Sequence, residues 1–341
     1  MSRGRAIGLI ALAVLVLTAG CRGPGPHRAA GRAAAPAPPT GSLDRFPLPS
    51  GSGPHDVAPA PDGSVWYTAQ AKGALGRLDP VTGRTTEIPL GKGSAPHGVI
   101  VGPDGAAWVT DPGLNAVLRV DPVTSEVKRF ALPAERPGAA VHTATFDRRG
   151  ILWFTGNAGV YGRLDPGSGA MKVWDAPRGP GPYGITATPD GTVWYASLAG
   201  NHIARVDPMT GQATVIEPPT PSQGARRIWT DSRGRLWVSE WNAGQVALYD
   251  PAGGTWREWR LPGDKPQAYA VYVDDRDVVW LSDFGANTVV RFDRGPEKFS
   301  SFPLPDQPGN VRQILGRPGE VWGAESAADA LVRLRTSVPT R

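Results

Sequence analysis

Short apolar runs separated by turn residues recur along the chain between residues 51 and 335. In each copy a β-branched run leads through a turn such as Pro103-Asp104-Gly105 to a tryptophan strand such as "VWYT" or "LWFT". A run ending in "RLDP" or "RVDP" follows, and then a fourth run such as "TEIPL". No segment keeps a helical period. Four short strands joined by turn residues are typical of an antiparallel β-meander.

The tryptophans set the period of this repeat. They recur every 41 to 45 residues, at Trp66, Trp108, Trp153, Trp194, Trp237, Trp280 and Trp322. One four-stranded sheet cannot bury both of its faces, whereas seven packed around an axis can. The pattern therefore predicts an all-β protein, a seven-bladed β-propeller with four-stranded blades over residues 41–341. The tryptophans are predicted to fill its core between the sheets.

The ends of the repeat predict how the ring closes. The last copy stops near Leu334 without its own "FPLP" run, and that run occurs before the first copy instead, in "LDRFPLPS" at residues 43–50. We therefore expect the N-terminal strand to complete the last blade.

The first forty residues carry a different signal. Arg3 and Arg5 precede an apolar run that ends in small residues at Cys21, the sole cysteine. This arrangement resembles a bacterial lipobox and predicts a lipoprotein signal peptide at 1–20 with lipidation of Cys21. The protein would then be exported and anchored by lipid to the outer face of the bacterial cell membrane. The alternative is an ordinary secretory signal with a chance cysteine.

Composition limits the partners. Residues 21–40 are rich in Pro, Ala and Gly and predict a disordered tether. The net charge of +5 resides in residues 1–40, and the rest of the chain has 31 basic and 31 acidic residues. Charge therefore gives no reason to expect a nucleic-acid partner.

The single cysteine limits the chemistry of the folded part. Because Cys21 lies in the predicted signal, the protein is expected to have no internal disulfide and no thiol catalysis. We expect a monomer.

Three histidines occupy one frame of the repeat. His55, His97 and His142 each lie eleven residues before a tryptophan, which we call the inner position. The exit position lies three residues after each tryptophan, at the end of the tryptophan strand. That strand pairs with the strand that begins at the inner position. In a propeller these two positions should surround one mouth of the central channel, where binding residues usually reside. The fourth histidine outside the tether, His202, is expected at the surface.

These positions predict a polar site. We assign His97, His55 and His142 as candidate proton carriers, because histidine exchanges protons near neutral pH. The candidate substrate-binding residues are Tyr183, Arg226, Tyr269 and Trp241. The candidate ligands for a divalent metal, most simply magnesium, are Asp111, Glu240, Asp283 and Glu325. The alternative is that the histidines were duplicated with the repeat and bond only neighbouring blades.

The repeats also resemble a known family. "GPDGAAWVTD", "NHIARVDPMTGQATVIEPP" and "PYGITATPDGTVWYAS" resemble the virginiamycin B lyase (streptogramin B lyase) propellers, which are similar to the gluconolactonase and regucalcin propellers. The resemblance covers residues 41–335. It implies elimination at the ester of a cyclic depsipeptide, with magnesium and a general-base histidine at the channel mouth.

The implied catalytic residues are rearranged in this chain. In the family the base and a metal carboxylate share a Glu-Pro-His phrase in the last blade, where this chain has Pro308-Gly309-Asn310-Val311. Glu325 approximates the family's second glutamate, one position early. The family's first-blade tyrosine is replaced by His55, and its sixth-blade histidine by Tyr269.

Two functions remain open from the sequence. The first is a metal-assisted lyase or lactone hydrolase that opens a cyclic or ester-bearing small molecule. The second is a non-catalytic cell-surface propeller that binds a peptide, glycan or protein through the same mouth.

Overall fold

The computed structural model describes residues 43–336, which form seven four-stranded antiparallel sheets. The predicted signal peptide, Cys21 and the predicted tether lie outside the described residues. Within residues 43–336, no helix is long and apolar enough to cross a bilayer. Strand β1 spans Leu43–Pro47.

Blades one to seven follow one another along the chain. Blade one contains β2 (Pro54–Pro59), β3 (Val65–Ala69), a 3-10 turn at Gln70–Lys72, β4 (Ala74–Leu78) and β5 (Thr85–Pro89). Blade two contains β6 (Gly98–Val101), β7 (Ala107–Asp111), β8 (Ala116–Val120) and β9 (Val127–Ala131). Blade three contains β10 (Val141–Phe146), β11 (Leu152–Gly156), β12 (Val160–Leu164) and β13 (Met171–Asp175). Blade four contains β14 (Pro182–Ala187), β15 (Val193–Ser197), β16 (His202–Val206) and β17 (Ala213–Ile216).

The remaining blades repeat this order. Blade five contains β18 (Ala225–Thr230), β19 (Leu236–Glu240), β20 (Gln245–Asp250) and β21 (Thr255–Arg260). Blade six contains β22 (Ala268–Val273), β23 (Val279–Asp283), β24 (Thr288–Asp293) and β25 (Lys298–Pro303). Blade seven contains β26 (Val311–Arg317), β27 (Glu320–Glu325) and β28 (Ala330–Arg335).

Strand β1 completes blade seven, as the sequence predicts. It pairs antiparallel with β28, with Leu43 opposite Leu334 and Pro47 opposite Ala330. The first strand of each blade contacts the first strand of the next, and β26 returns to β2. These contacts close the ring and confirm the seven-bladed propeller.

The tryptophans fill the spaces between sheets, as predicted. All seven are at most 3% exposed. Five indole nitrogens donate to a carboxylate near the turn between the first two strands, for example Trp153 to Asp147 at 3.0 Å. Trp66 and Trp194 are equally buried, but their indole nitrogens have no hydrogen-bond partner. The repeat therefore conserves the packing of the indole more strictly than its hydrogen bond.

One expectation about the fold is wrong. His202 is 1% exposed rather than at the surface. Its Nδ1 lies 3.0 Å from the carbonyl oxygen of Gly200, and its ring meets Tyr195 edge-on at 6.1 Å. The third strand of a blade is buried on both faces, so a histidine at its start is covered by the neighbouring tyrosine.

Candidate functional site

The first strand of each blade is irregular where it begins. In six of the seven hairpins the register with the second strand shifts at the inner position, as it does between Pro54 and Val57. A β-bulge adds one residue and re-aims the side chains beside it. The residue after the inner position can thus reach the channel as well. Asp56 of blade one meets Arg227 of blade five, each one residue beyond its inner position.

In several blades a hydroxyl group accepts a hydrogen bond from the start of the first strand, whether or not that strand is bulged, and links it to the next blade. Thr68, two residues after Trp66, accepts a hydrogen bond from the backbone of Asp56 at 3.0 Å. It donates to the carbonyl oxygen of His97 at 2.8 Å. The same pair of bonds is made by Thr110, Thr155 and Ser239. These bridges fix the inner residues of adjacent blades relative to one another.

The rings of the three histidines follow one another in a close series, tilted by 43° and 46° between neighbours, which we call the histidine stack. Ring centroids lie 3.8 Å apart between His55 and His97 and again between His97 and His142. The ring of Tyr183 continues the series 3.7 Å from His142. A side chain at Gly98 would collide with the carbonyl oxygen of His142, 2.7 Å from the ideal Cβ position. The glycine therefore permits the close approach of blades two and three.

The hydrogen bonds of the histidines fix their tautomers. Nδ1 of His55 lies 2.8 Å from Asp56 Oδ1, and Nδ1 of His97 lies 3.2 Å from the carbonyl oxygen of His142. A carboxylate and a carbonyl only accept hydrogen bonds, so both Nδ1 atoms must carry the proton. In the neutral rings Nε2 is then the basic atom. Nδ1 of His142 lies 2.8 Å from Thr143 Oγ1, which is compatible with the same tautomer.

The surroundings of the stack favour neutral imidazoles. Burial, followed by the charge of Arg227, holds the pKa of His55 well below 6.5. Burial and then the neighbouring histidine likewise lower the pKa of His97 and of His142. His55 and His142 are buried and His97 is partly exposed. His97 is therefore the member of the stack best placed to meet a ligand as a neutral base.

A buried ion pair crosses the channel beneath the stack. Arg227 lies 3.1 Å from Asp56 Oδ1 and donates to Thr143 Oγ1 at 2.8 Å. Burial raises the pKa of Asp56, and Arg227 opposes that rise. The second oxygen of Asp56 is buried without a hydrogen-bond partner. This pair joins blades one, three and five and forms the floor of the mouth.

The opposite side of the mouth is cationic and phenolic. Arg226 donates to the hydroxyl of Tyr183 at 2.8 Å and lies 3.6 Å above the ring of Tyr269. The two tyrosine hydroxyls are 2.6 Å apart, and Arg312 lies 3.5 Å from that of Tyr269. Burial opposes ionisation of Tyr269, but Arg226 and then Arg227 outweigh it and lower the pKa of Tyr269 below its usual value. Burial raises the pKa of Tyr183.

Aromatic rings complete this side of the mouth. Trp241 meets Tyr269 edge-on at 5.6 Å, and Phe284 stacks on Tyr269 at 4.6 Å. Arg226 also lies 4.7 Å above the ring of Trp241. Trp241, Phe284 and Arg226 are partly exposed, whereas Tyr269 is 1% exposed beneath them. The predicted substrate-binding residues Tyr183, Arg226, Tyr269 and Trp241 thus form one cluster.

The four carboxylates proposed as metal ligands do not belong to the cluster of substrate-binding candidates. Asp111 accepts hydrogen bonds from Ser94 and from the backbone of Ala95 and Leu114. Asp283 accepts three backbone hydrogen bonds from its own loops. Both aspartates are committed to holding the loops between strands.

The two glutamates are poor candidates for magnesium for another reason. Burial raises the pKa of Glu240 to about 8, and Gln245 donates to its carboxyl group at 2.6 Å. Burial, with Asp306 beside it, raises the pKa of Glu325 to about 8. A protonated carboxyl group is a weak ligand for a hard cation.

The geometry of the donors therefore does not fit the magnesium that the family implies. Among the described residues, His55, Asp56 and His97 are the one group of three such side chains whose ligand atoms all lie within 4.8 Å of one another. The group contains none of the four proposed carboxylates, and Arg227 already pairs with its only acid.

Sequence reasoning missed the residues that follow the inner position. Asp56, Thr143, Arg227 and Arg312 all take part in the mouth. Alternation along a regular strand would point them away from the channel, and only the bulge brings them in. The repeated Thr or Ser two residues after the tryptophan was the available signal, because it accepts the bulged N–H.

Comparison with known proteins agrees with this architecture. The model of the virginiamycin B lyase family matches residues 28–255, and the chain belongs to that family. No curated protein sequence matches the chain.

Solved structures share the fold at low sequence identity. Virginiamycin B lyase from Staphylococcus aureus superposes with a TM-score of 0.80 at 22% identity, covering 87% of this chain and 100% of the other. A catalytically inactive variant of that enzyme, crystallised with quinupristin, gives the same values. An extracellular domain from B. thetaiotaomicron gives 0.68 at 15% identity, covering 87% of this chain and 42% of the other. These likenesses establish the propeller fold.

Proposed function

We propose that the mouth binds an ester-bearing small molecule or peptide that carries a carboxylate, and cleaves its carbon–oxygen bond by elimination without a metal. One observation carries this proposal: neutral histidines with basic Nε2 atoms stand beside an excess of guanidinium groups. Arg226, Arg227 and Arg312 line the mouth, and Asp56 is the acid that pairs with one of them. Such an unbalanced charge in a partly buried site favours an anionic ligand.

His97 is the proposed base. Its Nδ1–H is held by a carbonyl oxygen, its Nε2 is unprotonated, and it is the most exposed histidine of the stack. Nε2 removes the proton from the carbon next to the substrate's carbonyl group. The freed electron pair forms a carbon–carbon double bond as the carbon–oxygen bond breaks, and the leaving group departs as a carboxylate. Asp56 favours the imidazolium that forms, since its charge raises the pKa of His97 against the effect of burial.

The arginines take the electrostatic role. Arg226 and Arg312 hold the substrate carboxylate and stabilise the negative charge that develops on the carbonyl oxygen or on the departing carboxylate. Stacking on Tyr269 and Trp241 fixes the plane of Arg226 before the ligand arrives. Preorganised guanidinium groups of this kind replace the charge that a divalent ion would otherwise provide.

A second candidate is binding without turnover. Tyr183 hydrogen-bonds to both Tyr269 and Arg226, so the two hydroxyl groups of this side already have partners. A carboxylate-bearing peptide could bind there through Arg226 and Arg312 alone. In that case the histidine stack would be structural.

The experiment compares two matched esters on the full chain. N-acetyl-O-succinyl-threonine amide and its O-acetyl analogue differ by one carboxylate, and elimination from either gives the same absorbing unsaturated amide. We expect faster turnover of the succinyl ester, undiminished by EDTA, and loss of turnover in His97→Gln with an unchanged melting temperature. Quinupristin, an ester without a carboxylate, serves as a third probe.

The outcomes separate the two candidates. Binding of the succinyl ester without turnover, lost in Arg226→Gln, would support the binding propeller and overturn the lyase. EDTA-sensitive turnover would contradict the metal-free mechanism. Neither binding nor turnover of any probe would overturn both candidates.

We also propose that the mature protein is lipidated at Cys21 and exported, as the sequence predicts. Mass spectrometry of the membrane fraction tests this, with Cys21→Ser expected to release the protein in soluble form.

A further inference from the structure

A groove between blades five and six lies at the other end of the propeller. It is bordered by the turn between β18 and β19 and the turn between β24 and β25, whereas the histidines begin the first strands at the opposite end. The groove has a cavity volume of about 540 Å³. Five arginines line it, and we call it the arginine groove: Arg233, Arg235, Arg257, Arg276 and Arg294.

Two of these guanidinium groups make no salt bridge in the described part of the chain, although Asp231 and Glu297 lie close enough to Arg294 to attract it. Arg235 pairs with Asp231 at 2.6 Å, and Arg257 pairs with Glu297. Neither Arg233 nor Arg294 makes an ion pair with any described residue, and Nε of Arg294 is buried without a hydrogen-bond partner. A buried donor of this kind is costly unless a ligand or water satisfies it.

The nearby acids are already engaged elsewhere. Asp277 accepts hydrogen bonds from the backbone and the hydroxyl of Ser232, and Asp293 pairs with Arg291. The lining sets five arginines against three acids, Asp277, Asp293 and Glu297. Burial and the like charge of Arg235 lower the pKa of Arg294, although Asp231 opposes that shift. The groove therefore keeps an excess of positive charge.

The neighbouring groove provides an internal control. The groove between blades four and five has a similar volume of about 600 Å³, but its charged side chains are Arg205 and Arg233 against Asp190 and Asp250. The two grooves occupy equivalent places in the repeat. The arginine-rich lining is thus a property of blades five and six and not of the propeller in general.

We propose that the arginine groove binds a phosphate group, held by the unpaired guanidinium groups of Arg294 and Arg233. Arginine presents paired N–H donors that match two oxygens of a phosphate, and it stays charged when partly buried. The ligand is a free phosphate compound or a lipid phosphate headgroup. The site is independent of the histidine mouth.

The test measures binding of two soluble probes to the full chain by calorimetry at low ionic strength. Pyrophosphate represents the free source, and dihexanoyl phosphatidylglycerol below its micelle concentration represents the headgroup. Dihexanoyl phosphatidylcholine, which has no net charge, is the control ligand. Arg294→Gln and Arg233→Gln are each expected to weaken binding about tenfold or more, since each removes a charged hydrogen-bond donor.

Arg205→Gln is the matched control variant, because Arg205 is exposed in the neighbouring groove and its loss changes the net charge equally. We expect its affinity to stay within about twofold of the parent, because Arg205 does not line the arginine groove and donates no hydrogen bond there. If Arg294→Gln and Arg233→Gln weaken the binding of pyrophosphate, the ligand is a free phosphate compound. If they weaken the binding of the phosphatidylglycerol and pyrophosphate does not bind, the ligand is a lipid headgroup. Equal losses in Arg205→Gln, or no binding of either probe, would overturn the proposal. The exposed Arg233 keeps the test valid if Arg294→Gln fails to fold.

Discussion

Blades one to three place imidazole rings at the inner position of the channel, whereas blades four to six place Tyr183, Arg226 and Tyr269 at the same position. The first side is uncharged and basic, because burial keeps its histidines neutral. The second side is cationic, and its arginines lie on aromatic rings. Both sides share the backbone course, the bulge (except in blade two) and the hydroxyl bridge (except in blade four, where Ala196 takes its place). The propeller thus supplies equivalent positions, and a few substitutions give its two sides opposite roles toward a substrate.

The link between the two sides should give the largest effect. Arg227→Met leaves Asp56 buried without its counter-ion, and loss of one partner of a buried pair costs about 3–5 kcal/mol. Urea unfolding should show this loss in the free energy of unfolding. The double variant Asp56→Asn, Arg227→Met should recover most of it, because no buried charge remains. Equal instability of the single and double variants would show that the ion pair does not join the two sides.

The cationic side alone should control affinity for the anionic ligand. Arg226→Gln removes a charged donor from the mouth and should weaken binding of the succinyl ester by about 2 kcal/mol, roughly thirtyfold. His142→Gln, on the neutral side, should change that affinity by less than about threefold, because it removes no charge. Fluorescence titration of the full chain measures both. Similar losses in the two variants would remove the distinction between the sides.

Glu240, at the exit position of blade five, tests whether a buried carboxyl group on the cationic half of the ring stays protonated. Its pKa in the folded state, about 8, lies above the ordinary value of 4.5, so the folded protein binds the proton more tightly than the unfolded chain. The contribution of Glu240 to stability is therefore greatest below pH 4.5, falls as the pH rises from 4.5 toward 8, and is flat above it. Glu240→Gln keeps the neutral shape and should be more stable than the parent by about 1–2 kcal/mol at pH 9, with little difference at pH 4.5.

The control for this pH series is Glu126→Gln at an exposed position. It should show the same difference from the parent at both pH values. A Glu240→Gln variant without any pH-dependent gain would mean that the carboxyl group is already ionised in the folded protein at both pH values.

The smallest effect concerns the shared scaffold. Trp153 and Trp66 are both fully buried, but Trp153 donates to Asp147 and the indole nitrogen of Trp66 has no partner. Trp153→Phe should therefore be more destabilising than Trp66→Phe by about 1 kcal/mol, the net value of one hydrogen bond. Thermal unfolding of the two variants gives the difference. A larger loss in Trp66→Phe would show that packing differs between the blades.

The sequence was sufficient for the architecture because the repeat is visible residue by residue. The tryptophan spacing predicts the number of blades, and the displaced "FPLP" run predicts the closing strand. The convergence of His55, His97 and His142 also follows from the ring. The partners Asp56 and Arg227 could not be foreseen, because they reach the channel only through a bulge that shifts the register by one residue. The ligand role predicted for Asp111 and Asp283 depends on loop hydrogen bonds that composition does not reveal.

The neutral state of the histidine stack is most directly tested by long-range ¹H–¹⁵N spectra of the imidazole rings between pH 5 and 8. The chain has five histidines, so each ring can be assigned by single His→Gln variants. Histidines with a lowered pKa in the folded state stabilise it above their ordinary pKa of 6.5, and this stability is lost as the pH falls. We expect His55 and His97 to stay neutral and protonated at Nδ1 across the range while the protein remains folded. Titration of either ring near pH 6.5, or a proton on Nε2, would contradict the proposed base.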